Sequence, residues 1–317
     1  MNLRPKTLSE YIGQEKIKKQ LEMFIQSAKK RNSPLDHIIV TGPPGLGKTT
    51  LASVIANEME VDIKITSAPV IEKKGDIAGL LTSLKEGDIL FIDEIHRLPP
   101  AFEEILYPAM EDFKLDIVIG GGSGKKRHSK AITLTLNRFT LIGATTRIGL
   151  LSTPLLSRFG IILNMDYYSV EELSEIVKRS AGILGVDIDD DASVYIAQHS
   201  RGTPRIANRL LKRVYDYCVS QGYEKIDVDK VRYAFNILSI KQYGIDDMML
   251  KYLHTLIGRF GGGPVGITTL SLAMNEDRRT IEEVIEPYLM KIGFIKRTKS
   301  GRVALEEAYK FLEKGLS

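Results

Sequence analysis

The chain of 317 residues is 43% hydrophobic and 26% charged, with a net charge of +4 and an isoelectric point near 8.9, the balance of a water-soluble protein of two or three domains. No apolar run approaches the roughly 20 residues that cross a bilayer, and "MNLRPKTLSEYIGQ" lacks the apolar stretch of a signal peptide; both predict a cytoplasmic protein with no membrane partner. The mildly basic charge does not by itself establish nucleic-acid binding, and the single cysteine, Cys218, excludes a disulfide framework and reads as a core residue of a helix.

From Tyr11 to Lys30, Ile17, Leu21, Phe24, Ile25 and Ala28 recur at helical spacing until "KRNSPLD" breaks the pattern. Five short apolar runs follow, "HIIVT", "VDIKIT", "DILFID", "FTLIGATT" and "GIILN", with helical patterns between most of them. This predicts an α/β domain whose parallel sheet is covered on both faces. After Tyr168 the strands stop. Amphipathic helices are predicted in "SVEELSEIVKRSAGIL", "DDASVYIAQHS", "TPRIANRLLKRVYDYCVSQG" and "DVDKVRYAFNIL". From about Ile245 the pattern runs helix, "GGGP" loop, short helix, turn and helix, then two strands in "GFIKRTKSGRVAL" around a Ser300-Gly301 turn, as in a winged helix. Pro287 must start, end or kink the last of these helices.

The stretch "GPPGLGKT" fits G-x-x-x-x-G-K-[ST] between a strand and a helix, the context that makes the pattern a phosphate-binding loop. Gly42, Gly45 and Gly47 let backbone N–H groups of the segment Gly42, Pro43, Pro44, Gly45, Leu46, Gly47, Lys48, Thr49 and Thr50 turn toward an anion. Lys48 is expected on the β- and γ-phosphates of ATP and Thr49 on Mg²⁺. "DILFIDEIHRL" is a buried strand ending in two acids beside that loop. Asp93 is expected to hold Mg²⁺ through water and Glu94 to polarise the attacking water.

Long runs elsewhere, including "LRPKTLSEYIGQ", "EILYPAMEDFKLDI", "FTLIGATTR", "RGTPRIANRLLKRV", "GGGPVG" and "GFIKRT", resemble the RuvB family of AAA+ motors, which drive Holliday junction branch migration in bacteria. The resemblance covers almost the whole chain. It implies an α/β P-loop AAA+ ATPase domain over 1–168 with a protruding hairpin at about 115–137, an all-α lid over 169–243 and a winged helix over 244–317. It also implies a homohexameric ring on the duplex DNA arms of the junction, beside RuvA and with RuvC in the resolvasome. By the same resemblance Thr146, next to Thr145 on the sensor strand, helps place the attacking water. Arg205 reads the γ-phosphate from the lid, and Arg158 is a finger inserted into the neighbouring subunit's site. Leu3, Arg4, Tyr11, Ile12, Tyr168 and Pro204 would frame the adenine. Leu156 stands where the family commonly has arginine, which leaves Arg158 as the finger candidate of its segment.

The hairpin resembles the one that docks apolar residues on RuvA, and Ile117, Val118, Ile119, Ile132 and Leu134 are its candidates. Its tip is longer than the usual family pattern and carries Lys125, Lys126, Arg127 and Lys130, either as a solvated charge run or as a contact to phosphate or acidic protein. In the wing, "KIGFIKRTKSGR" holds five cations and no acid, which suits phosphates rather than base edges. Arg297, Lys299 and Arg302 are the expected DNA contacts, with Lys299-Ser300 departing from the family's usual pair. The function expected is an ATP-driven DNA translocase; the alternative is an ATP-switched origin-binding or loader protein, which also joins such an ATPase to a winged helix.

Overall fold

The computed structural model describes residues 3–120 and 129–314, and the backbone divides into two compact units, 1–168 and 169–317. The first begins with α1 (Glu15–Arg31), whose buried stripe of Ile17, Leu21, Ile25 and Ala28 follows the predicted spacing. Asn32 ends it in the left-handed region and donates its N–H to the Ala28 and Lys29 carbonyls. Strand β1 (Ile38–Thr41) leads to α2 (Lys48–Met59), then β2 (Ile63–Ser67), α3 (Lys74–Thr82), β3 (Ile89–Asp93) and α4 (Pro100–Glu111). The hairpin is β4 (Lys114–Gly120) with β5 (Ser129–Thr135); after it come β6 (Thr140–Thr145), the short α5 (Thr153–Leu156) and β7 (Ile161–Asn164). The five runs predicted as strands form one parallel sheet in the order β2-β3-β6-β1-β7. Central strands β1 and β6 are buried throughout, whereas the edges are not: β7 alternates buried and exposed residues, and Ile65 of β2 is open to solvent.

In the second unit α6 (Val170–Leu184) is opened by a capping box in which Ser169 and Glu172 serve each other's backbone N–H. Strand β8 (Asp187–Ile188), α7 (Asp190–Gln198), α8 (Pro204–Gln221), β9 (Lys225–Ile226) and α9 (Val228–Ile237) follow. The β8–β9 pair corrects the wholly helical expectation, since two residues of parallel pairing are too short to leave a period in sequence. Cys218 is fully buried on α8.

The C-terminal module contains α10 (Asp247–His254), α11 (Ile267–Met274), α12 (Arg278–Thr280), α13 (Glu286–Lys291), β10 (Ile295–Thr298), β11 (Gly301–Ala304) and α14 (Glu306–Lys314). A π-turn over Ile281–Ile285 joins α12 to α13, so the helix passes through Pro287 without breaking. The wider turn accommodates the missing N–H and the ring of proline. The wing turn is Lys299-Ser300, with Thr298 paired to Gly301, one residue earlier than expected. Helix α14 had no counterpart in the expected pattern; Ala308 anchors it in the module's core.

Candidate ATPase site and winged-helix surface

The loop between β1 and α2 has Gly42, Gly45 and Gly47 at φ of 146°, 86° and 98°. A Cβ on Gly42 would stand 2.5 Å from the Met165 carbonyl oxygen, so the close approach of β7's end to the loop demands glycine. Lys48 is buried at the first turn of α2, its Nζ donating to the Gly42 and Pro43 carbonyls at 2.8 and 3.0 Å. The ammonium thus closes the loop on which the helix dipole and first-turn amides converge.

Beside it, the end of β3 presents Asp93 and Glu94. The Asp93 carboxylate accepts from the Glu94 N–H at 3.0 Å, and Glu94 sits in the left-handed region at φ 49°. Thr146, just past β6, donates to Glu94 Oε2 at 3.5 Å, and the buried Thr145 hydroxyl accepts from the Arg147 N–H at 2.9 Å. His96 lies between them, its Nδ1 2.8 Å from Thr145 Oγ and 3.3 Å from Glu94 Oε2. In the sequence His96 lies inside "DEIHRL", and its place two residues after the second acid is the signal it leaves there. The oxygen donors Thr49 and Asp93 are the hard, sparse set that suits Mg²⁺ shared with substrate phosphates.

Tyr11 and Tyr168, both buried, have hydroxyls 3.2 Å apart, and that of Tyr168 donates to the Leu46 carbonyl at 3.3 Å. Burial pushes the Tyr11 phenol up to about 12. These two therefore meet the phosphate loop directly; Leu3 and Ile12 are half-buried and Arg4 is exposed in the same unit. Pro204 and Arg205 open α8 in the second unit, Pro204 at the first helical position and Arg205 exposed beside it.

Arg158 is held within its own chain. Its guanidinium stacks 4.3 Å over Tyr107, pairs with Glu111 at 3.2 Å and donates to the Pro154 carbonyl at 2.6 Å, while Nε is buried without a partner. Leu156 packs against the core cluster behind it.

The wing arginines converge on Glu286, which is fully buried on α13. Arg297 Nε donates to its Oε2 at 2.7 Å and Arg302 Nε to its Oε1 at 2.8 Å; Tyr252 donates to Oε1 at 3.2 Å, and Arg302 also reaches Glu282 at 2.9 Å. Burial and the adjoining carboxylate push the Tyr252 phenol far up. Arg302 is 12% exposed and Arg297 41%. Lys296 and Lys299 are exposed on the same wing, and Arg278 and Arg279 are exposed on the first turn of the preceding helix. The role of Glu286 was not read from the sequence. A lone acid four residues after Glu282, with Ile285 on one side and Tyr288-Leu289 on the other, was its signal.

On β5, Ile132 and Leu134 are two apart, share a face and are exposed; Leu115 and Leu136 at the hairpin base are buried. Ile117 opposes Ile132 in the antiparallel register. Lys125, Lys126 and Arg127 lie outside the described residues, as do the side chains of Ile117, Val118, Ile119 and Lys130.

A glycine loop at the start of α2, paired acids ending a central parallel strand, a polar sensor strand, a helical lid and a winged helix define a P-loop ATPase of the AAA+ class. Family models match three consecutive parts: the Holliday junction DNA helicase RuvB P-loop domain over residues 3–165, the RuvB AAA lid domain over 168–241 and the RuvB C-terminal winged helix domain over 242–313. The chain belongs to the RuvB family. It is 56% identical over 313 residues to the Holliday junction branch migration complex subunit RuvB of Fusobacterium nucleatum subsp. nucleatum, spanning 99% of this chain and 93% of that one. Its fold is similar to that of the Thermotoga maritima RuvB Holliday junction branch migration motor, with a TM-score of 0.88, 49% identity and 98% of each chain covered. A point variant of that protein superposes with a TM-score of 0.90.

Proposed function

We infer that this chain is the ATP-hydrolysing subunit of a Holliday junction branch migration motor, working on junction DNA with RuvA. The observation that carries the reading is Lys48 on the loop carbonyls at the start of α2, beside a strand end where Glu94 meets Thr146. In this reading the triphosphate lies on the amides of the loop, and Lys48 exchanges its two carbonyls for β- and γ-phosphate oxygens. Glu94 orients and polarises the attacking water, and Thr146 steadies the same carboxylate. Tyr11 and Tyr168, with Leu3, Arg4, Ile12 and Pro204, frame the adenine, and Arg205 reads the γ-phosphate from the lid. Mg²⁺ held by Thr49 and, through water, by Asp93 would neutralise developing phosphoryl charge.

The domain limits taken are 1–168, 169–243 and 244–317. Assembly into a homohexamer brings Arg158 to a neighbour's phosphates. What supports this is that two of its present contacts, an exposed carboxylate and an aromatic face, are ones a phosphate can outcompete. Ile132 and Leu134 supply apolar docking surface for RuvA, and Lys299 with Arg297 and Arg302 meets duplex phosphates. RuvC joins in the resolvasome, and the setting is cytoplasmic; among the described residues no helix is long and apolar enough to cross a membrane. The test is dissociation of a four-way DNA junction by the purified protein with ATP, with and without RuvA. ATP-dependent dissociation that rises with RuvA is expected. A single ATP burst followed by stable loading on DNA would assign the chain to the loader class instead.

A further inference from the structure

We propose that His96 is a positioning residue for ATP hydrolysis, tying the Glu94 carboxylate to the sensor strand through its Nδ1. The proposal rests on the reading of Glu94 as the group that polarises water. Glu94 ends in a carboxylate on three rotatable bonds and is about one-third exposed, so it samples several rotamers unless something holds it. The holding group must itself be fixed. Residues Ile95–Arg97 form a single 3-10 turn, and Ile95, fully buried, packs against Gly143 of β6, where a Cβ would stand 3.0 Å from the Ile95 side chain.

That packing sets His96 beside the sensor strand, with its ring largely covered. Thr145 Oγ, 2.8 Å from Nδ1, is in turn held by the Arg147 N–H. In the proposed arrangement the ring carries its proton on Nδ1, which lies 2.8 Å from the Thr145 hydroxyl and 3.3 Å from the Glu94 carboxylate. Thr146 reaches the same Oε2 at 3.5 Å. Glu94 is therefore met from two sides, by His96 on the turn after β3 and by Thr146 just past β6. Any shift of β6 when nucleotide binds is passed to the carboxylate through His96, which a packing role alone would not require.

The test is steady-state ATPase activity of the full-length protein on duplex DNA for His96→Leu, His96→Gln and His96→Asn, with Glu94→Gln in parallel and thermal stability recorded for each. An asparagine amide reaches the position of Nδ1, and a glutamine amide that of Nε2. His96→Leu and His96→Gln should lose about tenfold or more in kcat, the scale of an orienting hydrogen bond around a reactive group, while KM and the Kd of a fluorescent ATP analogue stay nearly unchanged. His96→Asn should recover most of the kcat. Equal kcat for the Asn and Gln variants, or wild-type kcat in His96→Leu while Glu94→Gln is inactive, would overturn the proposal. Wild-type turnover by Glu94→Gln would remove Glu94 from the mechanism, and the proposal with it.

Discussion

Replacing Glu286 with alanine tests how the wing is held. The carboxylate has no solvent exposure and accepts from two guanidinium groups and a phenol at 2.7, 2.8 and 3.2 Å. Its loss leaves Arg302, only 12% exposed, paired with the Glu282 carboxylate, and leaves Tyr252 buried without this acceptor. Breaking one side of a buried ion pair costs about 3–5 kcal/mol, and the surviving Glu282 contact places this case near about 3. Arg302→Ala should cost a similar amount, because Glu286 stays buried. Arg297→Ala should cost about 1 kcal/mol or less, since that guanidinium is 41% exposed and solvent screens it. For a cooperative unit of roughly 150–250 residues, about 3 kcal/mol corresponds to roughly 6–12 °C in Tm, readable by calorimetry of the transition that includes 169–317. A loss below 1 kcal/mol in Glu286→Ala, or equal losses at Arg297 and Arg302, would refute the account of Glu286 as the anchor of the wing.

The same geometry divides the wing's charges in DNA binding: Lys299→Ala should weaken duplex binding for every sequence and flatten the slope of log K against log[salt] by about 0.9, whereas Arg302→Ala should flatten it less, as titrations across salt concentrations would reveal. Lys48→Ala should abolish ATP binding or turnover, while Glu94→Gln should bind ATP and fail to hydrolyse it, in parallel binding and phosphate-release assays. Arg158→Ala should lose hydrolysis with binding nearly intact, and mixing it with Lys48→Ala should restore some activity; no rescue in demonstrated mixed rings would count against action in trans. His37 is buried, accepts from the Leu141 N–H at Nδ1 and meets the Met110 carbonyl through Nε2, and burial holds its pKa below the usual value. The unfolded chain therefore takes up that proton first as pH falls below about 6.5, and stability should decline with acidification; Tm against pH should be shallower over that window in His37→Phe.

Much of this protein is legible in local pattern. Strand β1, the glycines at 42, 45 and 47 and Lys48 are nearly consecutive in sequence, and the paired acids directly end the apolar strand β3, so both motifs are legible from local spacing. The capping box at Ser169 and the buried stripe of α1 are legible for the same reason, because helices satisfy their backbone groups within one segment. Contacts that join distant segments were beyond that reach. The five cations of the wing read as a phosphate surface, yet Glu286, 11 and 16 residues before the two arginines it binds, engages both of them, and only the packing of α13 beneath the β10–β11 hairpin decides this. Arg158, by resemblance a finger for a neighbouring subunit, meets Tyr107 of α4 within its own chain only through the fold. His96 acquired a partner only when parallel pairing of β3 with β6 brought Thr145, 49 residues away, to its ring. Sequence patterning determined most of the elements and marked the loop expected to hold phosphates. Tertiary structure determined which charges remain available to a ligand, because a charge's availability depends on what the fold places within a few ångströms of it.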